Sequence, residues 1–404
     1  MTGLYVHVPF CASLCSYCTF ARGLLDDRLK SRYVDAVVRE IETAHPTSQP
    51  PGPQDSSTDA DSGPQSPTTD DGVIADTIYF GGGTPSLLDP QEIGRILDAC
   101  RRAFVVDPSA EVTLEANPES VSPANLAGYR AAGVNRLSFG VQSFNDVELR
   151  RLGRVHDAAR AREAVAEARA AGFDNLSLDL MLWLPGQVMA DVVASVESLI
   201  ALDPEHASLY LLELHARSPL TQVATRAGWS QAPDDVAADM YLWAMERLER
   251  AGYRQYEISN VAKPGRESRH NLKYWTGGDW IAFGPAAHST WNGLRWNNVV
   301  GTEEYVARVA SGRPPDLGRR RLSAGEQVEE TLFMGLRLAA GVDLGMVHRR
   351  FGVDVGREYG YRLSPCFDAG LLVAEGGRLR LTREGMLLAN EVMSIFLDAR
   401  SAKP

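Results

Sequence analysis

Hydrophobic and polar positions follow two alternating rhythms along most of this chain. Short apolar runs are typical of buried strands, and apolar residues spaced three or four positions apart are typical of amphipathic helices. The predicted strands cover residues 4–8, 77–80, 111–116, 136–140, 175–182 and 207–213. The predicted helices cover residues 27–44, 90–104, 122–132, 145–152, 157–171, 189–201 and 233–251. Six strand–helix units in series predict an α/β fold with a parallel sheet inside a helical layer, arranged as a partial, open (β/α)6 barrel.

The pattern changes near residue 321, beyond which strands no longer alternate with helices. Residues 326–338 and 343–351 have helical spacing, residues 371–381 have the pattern of a hairpin, and residues 382–397 are predicted as a final helix. This order indicates a small α+β module of winged-helix type. Because the hairpin carries only two basic residues, we expect the module to cap the open barrel rather than to bind DNA.

These patterns divide the chain into a core of residues 1–300, a connecting segment of residues 301–320 and a C-terminal module of residues 321–404. Within the core, residues 45–72 are rich in proline, serine, threonine and aspartate and contain no lysine or arginine. Such a segment buries too little apolar surface to offset the entropy of ordering. We therefore predict a disordered surface insertion there.

The charge balance is acidic, with a formal net charge of −11. A general nucleic-acid binder needs a basic face, and adhesion to anionic lipids needs basic clusters, so neither is expected. The N-terminus has no signal-peptide pattern, and no apolar run reaches the length of about 18 residues that a membrane span needs. We expect a cytoplasmic protein without a nucleic-acid partner or a membrane span.

Three of the five cysteines form a C-x3-C-x2-C motif in the loop after the first predicted strand: Cys11, Cys15 and Cys18. An odd total with one tight cluster is a poor disulfide framework, and this spacing is typical of metal ligands. A [4Fe–4S] cluster usually takes four protein ligands. Three thiolates would leave one iron open to a small molecule that binds through amino and carboxylate groups.

A structural zinc ion is the alternative for this motif. Such sites close with four ligands, usually from two separated pairs, and the sequence has no second pair. His7 could supply a fourth ligand, so the alternative stays open at this point. Cys100 and Cys366 are expected to be small buried apolar residues rather than ligands.

The motif and its surroundings resemble the radical SAM superfamily. The opening Tyr-Val-His-Val-Pro-Phe-Cys of residues 5–11 is similar to the coproporphyrinogen III dehydrogenase-like group and, within it, to the haem-chaperone (HemW) branch. The resemblance extends over residues 5–187 and again over residues 270–289. It implies a [4Fe–4S] cluster on the three cysteines, with S-adenosylmethionine bound at the open iron.

The resemblance also implies which residues contact S-adenosylmethionine. Phe-Gly-Gly-Gly-Thr-Pro at residues 80–85 follows the second strand, and its glycines allow the backbone to approach a ligand closely. The implied contacts are Tyr5, Tyr17, Gly82, Gly83, Thr84, Glu115, Gln142, Arg154 and Asp179. Each alone could be an ordinary polar residue at a loop edge. Two places depart from the family pattern, since Trp183 stands where members often carry glycine and the turn around His215 is unusual.

A second motif, His270-Asn-Leu-Lys-Tyr274-Trp275, resembles the haem-binding signature of the chaperone branch. Imidazole is a good axial ligand of haem, and these aromatic rings, with Trp280, offer flat apolar surface to a macrocycle. His288 is a second candidate for contact with haem. The alternative is a buried, hydrogen-bonded His270 in an aromatic core.

The resemblance implies a haem carrier. Phe20 occupies the position of the fourth cysteine that coproporphyrinogen dehydrogenases carry, which counts against that activity. The implied partners are haem, acceptor haemoproteins among respiratory or membrane-associated enzymes, and an electron donor for the cluster. Two alternatives remain: a radical enzyme that acts on a porphyrin or transfers methyl groups, and an iron–sulfur protein that only carries electrons.

Overall fold

The computed structural model describes residues 1–18, 21–44, 72–214 and 219–397. The predicted insertion at residues 45–72, apart from Gly72, lies outside the described residues, as do Phe20 and His215. Among the described helices, none has the length and apolar character that crossing a bilayer requires.

The strands are short, and most of them belong to one sheet. In chain order they are β1 (Thr2–Val8), β2 (Phe10–Cys11), β3 (Gly23–Leu24), β4 (Ile74–Gly82), β5 (Val105–Ala116), β6 (Arg136–Gln142), β7 (Leu176–Leu182), β8 (His206–Leu211), β9 (Arg254–Gln255), β10 (Asn260–Ala262), β11 (Trp280–Phe283), β12 (His288–Trp291), β13 (Leu294–Asn297), β14 (Arg320–Arg321), β15 (Val342–Asp343), β16 (Leu372–Glu375) and β17 (Arg378–Leu381).

The helices follow the strands in the rhythm that the sequence predicts as far as residue 250, except that the helix Pro219–Ala227 was not predicted. They are α1 (Asp27–Thr43), α2 (Pro90–Ala103), α3 (Pro123–Ala132), α4 (Asp146–Leu152), α5 (Ala158–Ala170), α6 (Met189–Leu202), α7 (Pro219–Ala227), α8 (Asp234–Arg250), α9 (Arg269–Thr276), α10 (Thr302–Ala310), α11 (Ala324–Gly335), α12 (Leu344–Phe351), α13 (Val355–Asp368), α14 (Arg383–Leu387) and α15 (Ala389–Ser394).

The six predicted strands lie side by side in chain order. β1, β4, β5, β6, β7 and β8 pair in parallel, as the strand–helix pattern predicts. The sheet continues beyond β1 through β11, β12, β13 and β14, and beyond β8 through β10 and β9. β14 and β9 are therefore the edges of the sheet in the described part of the chain, and the expectation of an α/β fold with an open parallel sheet is confirmed.

Side chains of β1 alternate between the two faces of the sheet. Leu4, Val6 and Val8 are fully buried in the main hydrophobic core, and burying each contributes roughly 1.5–3 kcal/mol. Tyr5 and His7 point to the other face, where they meet rings and glycines of neighbouring elements. One strand thus supplies both the core and the lining of the barrel interior.

The C-terminal module has its own hydrophobic core and a three-stranded sheet in the order β15–β17–β16. Two predictions for it were wrong. Helix α13 was not predicted, because Gly356, Gly360 and Pro365 interrupt its pattern of helix-forming residues. The single helix predicted at residues 382–397 is two short helices, α14 and α15, separated at Leu388, whose φ of −109° is not helical.

A buried ion pair joins the module to the core. The Glu257 carboxylate is fully buried and accepts hydrogen bonds from Arg337 Nη2 at 3.0 Å and from the Ser259 amide at 2.9 Å. The Arg337 guanidinium also lies over the Trp275 ring, 4.4 Å from its centre. The backbone amide of Ile258 donates to the Arg337 carbonyl at 3.1 Å. Side-chain and backbone contacts therefore fix the segment directly after α11 to the core.

Candidate functional site

A cavity of about 360 Å³ opens at the carboxyl ends of the parallel strands, where such folds usually carry their functional groups. Most of the predicted site residues line it. They are Cys11, Cys15, Cys18, Tyr17, Gly82, Gly83, Thr84, Glu115, Gln142, Arg154 and Asp179. Tyr5 and His270 do not line this cavity. The sequence prediction therefore converges on one place for eleven residues. Tyr5, which was predicted to contact S-adenosylmethionine, lies outside this lining, and His270 was predicted as a contact of haem rather than of this cavity.

Two arginines donate hydrogen bonds to the thiols. Arg22 Nε lies 2.9 Å from Cys18 Sγ, and Arg22 Nη2 donates to the carbonyls of Cys15 and Cys18 at 2.9 and 2.8 Å. Arg154 Nη1 lies 3.6 Å from Cys15 Sγ. Arg22 was missed from the sequence; its only signal is a basic residue four positions after the last cysteine of the motif.

The donor set suits a [4Fe–4S] cluster better than zinc. His7, the proposed fourth zinc ligand, hydrogen-bonds through Nε2 to the Ala21 carbonyl at 2.8 Å and through Nδ1 to the Tyr5 hydroxyl at 3.3 Å. Three thiols at the mouth of a cavity fit a cluster that leaves one iron open.

The glycine loop is fastened to the end of β1. The Gly83 amide donates to the Val8 carbonyl and the Thr84 amide to the Phe10 carbonyl, both at 2.7 Å. A Cβ on Gly83 would lie 2.5 Å from the Phe10 carbonyl oxygen, closer than real Cβ atoms approach backbone. The loop therefore needs glycine at this position in order to lie against the strand that leads into the cysteine motif.

We expect Gly83→Ala to displace the cysteine loop and to weaken binding of S-adenosylmethionine by tenfold or more, because overpacking against backbone costs about 1–3 kcal/mol. Equilibrium dialysis of the reconstituted protein measures this. Gly94→Ala is the matched control, since a Cβ at Gly94 in α2 would meet only the Ala132 Cβ at 3.9 Å. Equal affinities for the two variants would contradict the assigned role of the loop.

Two partly buried carboxyl groups, those of Glu115 and Asp179, face the cavity. Glu115 Oε1 accepts from the Tyr79 hydroxyl at 2.8 Å, and Oε2 accepts from the Gly82 amide at 3.1 Å. Burial nevertheless raises the pKa of Glu115 to about 7 and that of Asp179 to about 6. A positively charged ligand in the cavity would favour the ionised form of both groups.

Arg154 is held in place by neutral groups. Its Nη2 donates to Asn117 Oδ1 at 2.6 Å and to the Gly140 carbonyl at 2.7 Å. Its buried Nε has no hydrogen-bond partner among the described residues. A buried donor without a partner is costly, and a ligand carboxylate would satisfy it. This orphaned donor fits the predicted contact with the carboxylate of S-adenosylmethionine.

Trp183, which departs from the family pattern, keeps a backbone conformation that glycine favours. Its φ is 61°, in the left-handed region where a bulky residue is an outlier. The indole Nε1 donates to the Ala232 carbonyl at 2.7 Å, and Gln231 Nε2 donates to the Trp183 carbonyl at 2.7 Å. These two hydrogen bonds hold the Trp183 backbone in that conformation.

His270 lies in the buried arrangement that the sequence left open as an alternative. It is 1% exposed, its Nδ1 is 2.8 Å from Thr77 Oγ1, and its Nε2 is 2.9 Å from the Tyr274 hydroxyl. Burial lowers the pKa of His270 to about 3. Both ring nitrogens are engaged, so haem could reach this imidazole only if the ring were uncovered. His288, by contrast, is exposed.

Tyr5 belongs to the same aromatic group rather than to the cavity lining. Its ring stacks with the rings of Tyr79 and His270, at 6.1 and 6.2 Å between centres. On the far side, Tyr274 meets the Trp280 ring edge-on at 4.7 Å. Aromatic side chains thus extend from Tyr79, which contacts the cavity residue Glu115, to Trp280, which lies just beyond the carboxyl end of α9.

Comparisons with known proteins agree with this geometry. The radical SAM superfamily model matches residues 71–199, and the HemN C-terminal domain model matches residues 322–388. The heme chaperone HemW of Bacillus subtilis (strain 168) is 34% identical over 401 residues, which cover 98% of this chain and 99% of that protein. The chain belongs to the HemW family. The resemblance drawn from its two motifs is therefore confirmed.

Other relatives extend the HemW comparison. Radical S-adenosyl methionine domain-containing protein 1, mitochondrial, of Bos taurus is 37% identical, and the match covers 98% of this chain and 87% of that protein. Among solved structures, coproporphyrinogen III oxidase (HemN) from Escherichia coli has a TM-score of 0.81 at 22% identity, with 98% of this chain and 89% of that chain covered. This HemW-family chain therefore shares the fold of HemN.

Proposed function

We propose that this protein is a haem chaperone that holds a [4Fe–4S] cluster through Cys11, Cys15 and Cys18 and binds S-adenosylmethionine beside it. The observation that carries the cofactor part is the convergence of three thiols, a glycine loop and two partly buried carboxyl groups on one cavity. When bound, such a cluster supplies an open iron for the ligand and an electron for its reductive cleavage. The names of the HemW relatives support the haem part.

Different residues of the cavity would contact different groups of S-adenosylmethionine. The glycine loop brings backbone close to the ligand, and the Arg154 guanidinium suits its carboxylate. Glu115 and Asp179 would compensate its positive charge or bind its ribose hydroxyls. The remaining cavity residues of the predicted set, Tyr17, Thr84 and Gln142, would complete the contact surface.

We place haem against the outer end of the aromatic group, where Tyr274 and Trp280 lie. Trp280 Nε1 donates to the His288 carbonyl at 2.8 Å, so the exposed His288 imidazole is next to this surface. His288 is accessible as an axial ligand in the described arrangement, whereas His270 would have to leave two hydrogen bonds first. Acceptor haemoproteins, among them respiratory or membrane-associated enzymes, would receive the haem, and an electron donor would reduce the cluster. A reducing compartment such as the cytoplasm suits the three free thiols.

A haem titration tests this proposal. We expect wild-type protein to give a Soret band on addition of haem, and His288→Ala to lose most of it, because an axial imidazole ligand is removed. His270→Gln should retain it. The reverse result would assign the ligand to His270 after opening of the aromatic group. Absence of the band in wild type, or conversion of coproporphyrinogen to protoporphyrinogen, would overturn the carrier function.

A further inference from the structure

We propose that His270 and Tyr79 are positioning residues of the cofactor cavity: His270 holds the Tyr79 ring, and Tyr79 holds the Glu115 carboxyl group. The inference rests on the proposed function, because it takes Glu115 as a contact of S-adenosylmethionine. It gives His270 a role on the side of its ring that faces Tyr79 and the cofactor cavity, whereas Tyr274 of the same motif lies at the surface where we place haem.

The first link is the hydrogen bond from the Tyr79 hydroxyl to Glu115 Oε1, at 2.8 Å. The other carboxyl oxygen accepts from the Gly82 amide in the glycine loop at 3.1 Å. Glu115 is thus fixed at both oxygens, once by the loop that receives the ligand and once by the tyrosine below it. Movement of the Tyr79 ring would therefore release one side of the carboxyl group.

The second link is the stack of His270 on Tyr79, with 5.1 Å between ring centres and 27° between ring planes. The space for the imidazole exists because residue 3 is glycine. A Cβ on Gly3 would lie 2.9 Å from His270 Cε1. The imidazole therefore fills the space over Gly3, next to the Tyr79 ring, that the Tyr79 ring could otherwise enter.

The position of His270 is itself fixed by the sheet. Thr77 Oγ1 on β4 hydrogen-bonds to its Nδ1 at 2.8 Å. Glu111 on β5 accepts from the backbone amides of His270 and Arg269, at 3.1 and 3.2 Å, at the first turn of α9. A carboxylate at a helix N-terminus is a stabilising partner of these amides. Helix α9 is thus fastened to the same two strands that carry Tyr79 and Glu115.

The far side of the imidazole faces the surface where we place haem. His270 Nε2 hydrogen-bonds to the Tyr274 hydroxyl at 2.9 Å, and Tyr274 lines a small cavity with Trp280 and Met334 of the C-terminal module. Three side chains, Tyr274, His270 and Tyr79, therefore separate this cavity from Glu115. A ligand that shifts Tyr274 would also alter the affinity for S-adenosylmethionine, and the effect would be reciprocal.

The test compares affinities for S-adenosylmethionine in reconstituted protein by equilibrium dialysis. We expect Tyr79→Phe to weaken binding by about fivefold to tenfold, the effect of losing one hydrogen bond of ordinary strength. His270→Gln should weaken binding to a similar extent. The double variant should be no weaker than the worse single one, because both act through the same contact. Tyr253→Phe is the matched control, a buried tyrosine that donates to the Pro204 carbonyl at 2.7 Å elsewhere in the fold.

The pH dependence of binding separates positioning from general destabilisation. Donation from Tyr79 favours the ionised form of Glu115, so its loss should move the pH at which binding is half-maximal upward. The titratable and charged groups around Glu115 are Tyr79, Tyr5, Asp179, Arg136, Tyr210 and Tyr274. All except Tyr79 stay in place in Tyr79→Phe. A purely structural role of Tyr79 would not move this midpoint.

Glu115→Gln distinguishes failure of the inference from failure of the proposed function. If Glu115→Gln binds S-adenosylmethionine as wild type does, the assignment of Glu115 falls, and the inference falls with it. If Glu115→Gln weakens binding but Tyr79→Phe and His270→Gln do not, only the positioning roles are overturned. Additive losses in the double variant would also overturn them. Should His270→Gln fail to fold, Tyr79→Phe and the pH midpoint of its binding still test the contact between Tyr79 and Glu115. Thr77→Val, which removes a hydrogen bond to His270, then tests the contact between His270 and Tyr79.

Discussion

Arg337→Met is expected to lower the free energy of unfolding by about 3 kcal/mol at pH 8, because it leaves the buried Glu257 carboxylate without its charged partner. Glu257 is fully buried, and Arg337 is its counter-ion at 3.0 Å. Methionine keeps much of the apolar length of the arginine side chain, so the loss reports the charge rather than the packing. Urea denaturation followed by circular dichroism measures it.

The loss of stability in Arg337→Met should be larger at high pH than at low pH. Burial raises the pKa of Glu257, and Arg337 opposes that rise. In Arg337→Met, the pKa of Glu257 in the folded state rises further above its value of about 4.3 in the unfolded chain. Folding at high pH must then either bury the charged carboxylate or take up a proton from solution. The destabilisation is therefore smaller at pH 5 than at pH 8. Adding Glu257→Gln to Arg337→Met should recover part of it at pH 8, and equal losses at both pH values would contradict the argument.

Cys15→Ser is expected to remove most of the iron and sulfide from anaerobically reconstituted protein, since two thiols remain for a cluster that normally takes at least three. The broad charge-transfer absorption of the cluster should disappear with them. Cys366→Ser is the control, because Cys366 packs against the core of the C-terminal module, away from the cavity. Unchanged iron and sulfide in Cys15→Ser would contradict the ligand assignment. Colourless wild-type protein that binds one zinc ion would overturn it as well.

The parallel sheet could be predicted from the sequence because each of its strands is buried on both faces and is separated from the next by a long amphipathic helix. Strands of that kind have a strong local signal. The strands beyond β1 could not be predicted. β11, β12 and β13 have four residues each, and their place depends on the pairing of residues 280–283 with β1. Such long-range pairing leaves no periodicity in the sequence.

The cavity could be predicted for the same reason. Glu115, Gln142 and Asp179 lie at or near the carboxyl ends of parallel strands, and the fold brings such ends together. The environment of His270 could not be predicted, because a histidine that binds a ligand and one that fills a space beside a glycine look alike in the sequence. Only the approach of Gly3, which is 267 positions away in the chain, separates the two cases.

The parallel pairing of β1 with β11 has a consequence for biosynthesis. Gly3 pairs with Trp280 and Val6 with Phe283. The edge of β1 that faces β11 therefore has no strand partner until the ribosome has released nearly three quarters of the chain. At about 5–20 residues per second, translation needs roughly 15 to 60 seconds to make that stretch. The cysteine loop follows this strand directly. We therefore expect metal loading to be a late, post-translational event in the maturation of the polypeptide.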